Sequence, residues 1–252
     1  MRKKRKLKYN KKRNILKSSI AVILVIYIVI FATYYKDDID NLINNLSGSI
    51  KEKPISYNIE QIPEYTGESY ITINNNEPFF EESELTKEPF EEYSNLDNLG
   101  RCGVAFALIS IDTMPTEERS SIGQIKPSGW HTIKYDIVDA KYLYNRCHLI
   151  GYQLTGENAN EKNLITCTRF MNTVGMLQFE NKVAEYVKET NNHVLYRVTP
   201  IFEGTNLLAS GVEIEALSIE DNGIGIKFNV YVYNVQEGIT IDYSNGDSSL
   251  NK

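Results

Sequence analysis

Metal-binding and redox residues are scarce in this chain: three Cys and three His among 252 residues. Cys102, Cys147 and Cys167 form no Cys-x-x-Cys pair, which excludes a zinc finger and a thioredoxin-like motif. His131, His148 and His193 are too scattered for a zinc site. An odd cysteine count leaves at least one thiol without an intrachain partner; Cys102 and Cys147 are candidates for a bridge. Internal repeats are absent, and strands do not alternate with helices in a βαβ rhythm. Acids are missing before Asp37, although ten Lys or Arg fall within residues 1–17. No charge at all occurs from Ser18 to Tyr35.

That uncharged run is near the minimum length for a membrane-spanning helix. The basic block ahead of it predicts a cytoplasmic N-terminus. A cleaved signal peptide needs a small-residue cleavage site, and no Ala-x-Ala follows the apolar run. The paired Tyr34 and Tyr35 suit an interfacial aromatic belt. An uncleaved signal anchor is the preferred reading, with cleavage and secretion as the alternative. Either way, the rest of the chain lies outside the cytoplasm. The expected organisation is a basic cytoplasmic segment (1–17), a transmembrane anchor (18–35), a tether (36–77), a folded domain (78–246) and a tail (247–252). Tyr70 to Ile73 suits a first strand, and Glu77 to Glu92 carries seven Glu in a solvated entry segment.

The domain reads as α+β around an antiparallel sheet. Strands are expected at Gly103 to Ile109, Trp130 to Tyr135, Tyr142 to Tyr144 and Val194 to Pro200. Val212 to Ala216 alternates, with Glu213 and Glu215 facing outward, and Ile224 to Val235 closes on Ile239 to Ile241. A helix is expected from about Arg169 to Thr190, because Met171, Val174, Leu177 (or Phe179), Val183 and Val187 recur at roughly helical spacing. Trp130, the one Trp, reads as core; His131 and His193 read as structural.

The chemistry concentrates between Tyr144 and Glu180. A strand runs into Asn145-Arg146-Cys147-His148, a turn-rich loop reaches Asn163, and the helix then carries Asn172 and Glu180. Asn145-Arg146-Cys147-His148-Leu149-Ile150-Gly151-Tyr152 resembles the signature of the bacterial DNA/RNA non-specific endonucleases. Asn163-Leu164, Phe170-Met171-Asn172, Glu180 and Tyr196 to Pro200 fit the same pattern, and the resemblance spans roughly Asn95 to Tyr243. It is nearest to the DNA-entry and streptodornase-like branch. Asn145 stands where the family usually has Asp, and Cys147 where it usually has Gly.

The resemblance implies a ββα-metal site, with Mg²⁺ (Mn²⁺ as an alternative) and nucleic acid as substrate; the N-terminal transmembrane helix expected from the uncharged run would precede it. Independent chemistry points the same way. Mg²⁺ keeps several waters and takes one or two protein oxygens, so one Asn side chain is a sufficient anchor. Asn172 is the candidate ligand, and Asn163 either orients it or holds metal waters. An imidazole near its reference pKa of about 6.5 is largely neutral at pH 7, so His148 suits a general base. Glu180 lies eight residues, a little over two turns, after Asn172, and is expected to hold a metal-bound water. Arg101 and Arg146 compete to stabilise the phosphorane; Arg146 shares a strand face with His148.

Charge argues against broad electrostatic capture of DNA. Beyond residue 17 the chain carries 17 Lys or Arg against 33 acids. Two functions of different class therefore stand: a membrane-anchored endonuclease acting on DNA, and RNA as a further substrate, outside the cytoplasm; or a catalytically weak nucleic-acid receptor on the same fold. No inhibitor or uptake machinery is identifiable from the sequence.

Overall fold

In the computed structural model, which describes residues 62–251, ten strands surround one long helix. The main sheet comprises β1 (Tyr70–Thr72), β2 (Glu91–Tyr93), β3 (Ala105–Ile109), β6 (Val194–Ile201), β7 (Gly211–Ser218) and β8 (Lys227–Tyr233). Its order is β1-β8-β7-β6-β3-β2, and every pairing is antiparallel. The α+β expectation around an antiparallel sheet holds. β1 falls in the stretch read as tether and pairs Ile71 with Tyr231. The basic segment and the anchor lie outside the described residues. Among the described residues, no helix is long and apolar enough to cross a membrane.

A separate hairpin, β4 (Tyr144–His148) and β5 (Leu164–Thr168), places Cys147 opposite Ile165. The short helix α1 (Tyr152–Thr155) follows β4. After β5 the chain enters a π-helical turn, Met171–Met176, and continues as α2 (Leu177–Thr190). Phe179, Val183, Ala184 and Val187 form the buried stripe of α2, a helical spacing that faces the sheet. Asn191, at φ 58°, ends the helix in the left-handed region that Asn tolerates. The π turn lies close against β8: a Cβ on Gly175 would stand 2.4 Å from a Val232 methyl carbon. Only a glycine permits that approach.

The main core lies between the sheet, α2 and the hairpin, and includes Ile109, Leu149, Ile165, Met171, Phe179, Tyr196 and Ile214. Asn234 joins the hairpin to the sheet. Its buried amide donates to Thr166 and Ala209 carbonyls and accepts from the Thr168 N–H, at 2.8 to 3.3 Å. These three bonds satisfy the amide and fix where the hairpin sits.

Several sequence expectations are corrected. Trp130 to Tyr135 is not a strand; only a single bridge, Lys134 to Tyr142, forms there. The segment starts in a turn, with Gly129 at φ +64°, and Trp130 turns its ring to Arg146. Glu213 and Glu215 do not face outward, being 2% and 1% exposed. The stretch from Phe79 to Glu84 covers that face of the sheet, and Glu215 accepts from the Phe79 N–H at 2.6 Å and from Arg197 at 2.7 Å. β9 (Ile239–Ile241) pairs with β10 (Ser248–Leu250) and not with β8. Cys147 bridges to Cys167, not to Cys102, with Cα atoms 5.9 Å apart. The bridge runs diagonally across the hairpin, since Cys147 faces Ile165. Cys102 is a buried free thiol near the Glu161 and Leu164 carbonyls, and burial pushes it up to about 12.

Candidate nucleic-acid site

The hairpin end, the loop after it and the π turn converge on one open pocket of about 450 Å³. Arg119, Ile122, Arg146, Arg169, Asn145 and Asn172 line it, together with Trp130, Thr132, Tyr142 and Tyr144. Only five arginines occur after residue 17, and three of them meet here with no carboxylate in the lining. An acidic domain therefore carries a local basic pocket.

His148 ends β4 and is 6% exposed. Its Nε2 lies 2.8 Å from the Asn158 carbonyl oxygen, and its Nδ1 lies 3.3 Å from an Arg119 guanidinium nitrogen. A carbonyl only accepts and a guanidinium only donates. The tautomer is thereby fixed: Nε2 carries the hydrogen and Nδ1 keeps its lone pair. Burial pushes the His148 pKa down to about 4, and the Arg119 charge pushes the same way against the Asn158 bond. The ring is neutral at pH 7 and can accept a proton. Asn158 also reaches back to Ser120, so the His148 partners brace one another.

Arg146 is held by carbonyls and a ring. It donates to Ile125 O and, at 2.9 Å, to Gly123 O, and its guanidinium carbon stands 3.9 Å from the Trp130 centroid. Burial lowers its pKa. Arg169 donates to Asp139 at 2.9 Å at the rim. Arg101 lies elsewhere: it binds Asp97 at 2.7 Å and the Gly204 and Asn206 carbonyls, with Phe202 beneath it. It is absent from the pocket lining.

Asn172 rides on the π turn, whose backbone bond runs from the Leu177 N–H to the Asn172 carbonyl. Such turns are frequent at functional sites. Its side-chain amide lines the pocket and makes no hydrogen bond among the described residues. The Asn145 side-chain nitrogen, in the same pocket, is buried without a partner. Asn163 is different. It is fully buried, and its amide both accepts from the Ile150 N–H at 2.9 Å and donates to the Ile150 carbonyl at 3.0 Å. It shapes the turn after His148, a position unlike that expected of a metal ligand.

Glu180 sits one turn into α2, its carboxyl under Gly151, where a Cβ would stand 2.4 Å from an oxygen. Burial pushes its pKa up to about 7, opposed by the Gln153 amide and the Arg119 charge. Arg119 thus touches His148, lines the pocket and acts electrostatically on Glu180. Sequence reasoning missed it because it lies in a polar excursion with no periodicity. Its rarity as an arginine in an acidic domain was the available signal.

No cluster of three His, Cys, Asp or Glu suited to a metal occurs among the described residues. The donor set instead fits a hard divalent cation that keeps most of its waters. Asn172 presents an uncommitted amide whose oxygen suits such a cation; the unpartnered Asn145 atom is an amide nitrogen, a donor that a cation does not engage.

A two-stranded hairpin followed by a helix, with a buried neutral His closing the first strand, defines a ββα site for phosphate chemistry. Residues 82–219 match the model of the DNA/RNA non-specific endonucleases, and the chain belongs to that family. It is 34% identical over 110 residues to a deoxyribonuclease of Streptococcus dysgalactiae subsp. equisimilis, spanning 42% of this chain and 32% of that protein. The chain thus matches about a third of that relative's length. The magnesium-bound NucA structure from Streptococcus agalactiae superimposes with a TM-score of 0.62 at 26% identity, covering 70% of this chain and 86% of NucA. The Sda1 nuclease structure with bound zinc gives 0.56 at 28% identity, covering 78% of this chain and all of Sda1.

Proposed function

We propose that this protein is a Mg²⁺-dependent endonuclease that hydrolyses phosphodiester bonds of DNA, with RNA as a further substrate. The observation that carries the reading is the fixed tautomer of His148 beside a pocket of three arginines. His148 Nδ1 takes the proton of the attacking water. An incoming phosphate draws Arg119 from Nδ1 and leaves that lone pair for the water. Arg119 and Arg146 stabilise charge gathering on the phosphate oxygens. Asn172 is the residue that would hold the cation, and Glu180 would orient water near it. A bound divalent cation supplies Lewis-acid stabilisation of phosphate charge and of the departing oxygen. The magnesium and zinc in the similar structures accord with a metal here, with Mg²⁺ or Mn²⁺ preferred for an amide oxygen.

Circular plasmid is the substrate for the test, because only an endonuclease opens it. The purified protein should nick it with Mg²⁺ and not with EDTA. His148→Ala should lose about 10²- to 10⁴-fold of the rate while still binding nucleic acid. Undiminished cleavage by this variant would remove His148 from the mechanism; binding without cleavage in the unaltered protein would favour the receptor reading.

Membrane anchoring rests on the uncharged Ser18 to Tyr35 run and the basic block before it. The Cys147–Cys167 bridge accords with a site outside the cytoplasm, where disulfides persist. A reporter fused after residue 76 should stay with the membrane fraction and be open to external protease. Release of a soluble mature form would establish the cleaved alternative.

A further inference from the structure

We propose that Tyr142, backed by Lys134, is a nucleobase-stacking platform that directs the site toward strands with unpaired bases. This rests on the nuclease reading above and adds the substrate class. Tyr142 lines the pocket that holds Arg119, Arg146 and Asn172, yet is 45% exposed. Its hydroxyl makes no hydrogen bond among the described residues. The ring also belongs to none of the four buried apolar clusters. Trp130 and Tyr144, its aromatic neighbours in the lining, both pack in or against one such cluster. Core packing therefore does not account for a large aromatic at this position.

The ring is nonetheless placed. Lys134 stands opposite Tyr142 in an antiparallel bridge, and its ammonium lies 4.4 Å from the ring centroid. One face of Tyr142 is thus set against a cation. Arg146 over Trp130 at 3.9 Å repeats that pairing in the same pocket. A flat face beside a cation fits a base and its adjoining phosphate. Arg146 and Arg169 in the same lining can take the phosphates on either side.

Stacking on an aromatic ring is tolerant of base identity, because every base has a π face. It is not tolerant of pairing: a duplex keeps its base faces against each other, and exposing one requires unstacking. Tyr142 therefore discriminates strand state and not sequence. Truncating such a platform should weaken single-strand binding about 5- to 150-fold.

The test separates binding from turnover. Full-length protein carrying His148→Ala is titrated in EDTA with an oligonucleotide holding a fluorescent purine analogue, as a single strand and as a duplex. The single strand should bind more tightly and its fluorescence should be quenched. Adding Tyr142→Ala should weaken single-strand binding by the stated factor, relieve the quenching and leave duplex binding nearly unchanged. Tyr142→Phe should retain both signals. Equal weakening on the two substrates would mean contact with the backbone alone and overturn the proposal, as would no weakening. Matched thermal melting of the variants excludes misfolding as the cause. Plasmid cleavage by the unaltered protein is scored separately. Its absence defeats the nuclease reading, while the binding titration still decides the role of Tyr142.

Discussion

Arg197 is buried and Arg146 partly so, and the structure treats their charges in opposite ways. Arg197, on β6, is 7% exposed and meets Glu215 at 2.7 Å and Glu84 at 3.2 Å, with Phe80 and Phe106 against its guanidinium. Burial alone would lower its pKa, but the bond to Glu215 and the charges of Glu215 and Glu84 raise it. Arg146 has two carbonyls and a Trp face, no carboxylate, and a lowered pKa. A compensated arginine fastens structure, here the Phe79–Glu84 stretch onto the sheet. An uncompensated one is open to an anion, and in the proposed mechanism a substrate phosphate would meet it. The difference accounts for a basic pocket on a domain with excess acid: among the described residues, salt bridges take Arg101, Arg169 and Arg197, and none takes Arg119 or Arg146.

The two arginines should fail differently. Arg197→Ala leaves Glu215 buried without its partner and should cost about 3–5 kcal/mol of stability, read from the denaturant midpoint. The folded fraction should cleave at the normal rate. Arg146→Ala removes no carboxylate's partner, so its unfolding midpoint should move little. Its loss should appear as about 10- to 100-fold in kcat/KM, the scale of a hydrogen bond to a charged group. Equal destabilisation in the two variants would dissolve the distinction.

A smaller effect sharpens the same contrast through pH. His148 has a folded pKa of about 4, against roughly 6.5 for an unfolded imidazole. Between those values the unfolded chain binds a proton that the native chain does not. His148 therefore contributes stability that is complete above about pH 6.5 and is lost as pH falls through about 4. Glu180 has the opposite sign: raised to about 7, it contributes stability at low pH that is lost as pH rises through about 7. In metal-free protein, His148→Gln should flatten the fall of the urea midpoint between pH 6.5 and 4. An unchanged slope would show that His148 is not buried as a neutral ring.

Local pattern made much of this legible. Buried strands such as Ala105–Ile109 announce themselves by apolar runs, and α2 by its periodic stripe. The Asn-Arg-Cys-His stretch marked the strand end that carries His148. What failed depends on distance. Glu213 and Glu215 alternate as an outward face would; Glu215 is met by a segment over 130 residues earlier in the chain, a return that no local pattern shows. Arg119 meets His148 across 29 residues, and no local rule links them. Asn163 was expected to orient Asn172 or hold metal waters because it is polar and near the motif, but its partner is the Ile150 backbone. The cysteine pairing stayed open because proximity to the motif says nothing about strand register, and register sets Cys147 diagonal to Cys167.

The diagonal bridge also bears on when the molecule becomes dangerous. It ties the strand bearing His148 to the strand leading to Asn172, closing a loop with a sequence separation of 20. Such a link contributes on the order of 3 kcal/mol. Under the proposed topology, that link cannot persist beside the ribosome, because the cytoplasm keeps thiols reduced. The newly made chain shares its compartment with the cell's own chromosome while its hairpin is still unlinked. On that topology the bridge would close outside the cytoplasm, locking the strand that bears His148 to the strand leading to Asn172 only after export.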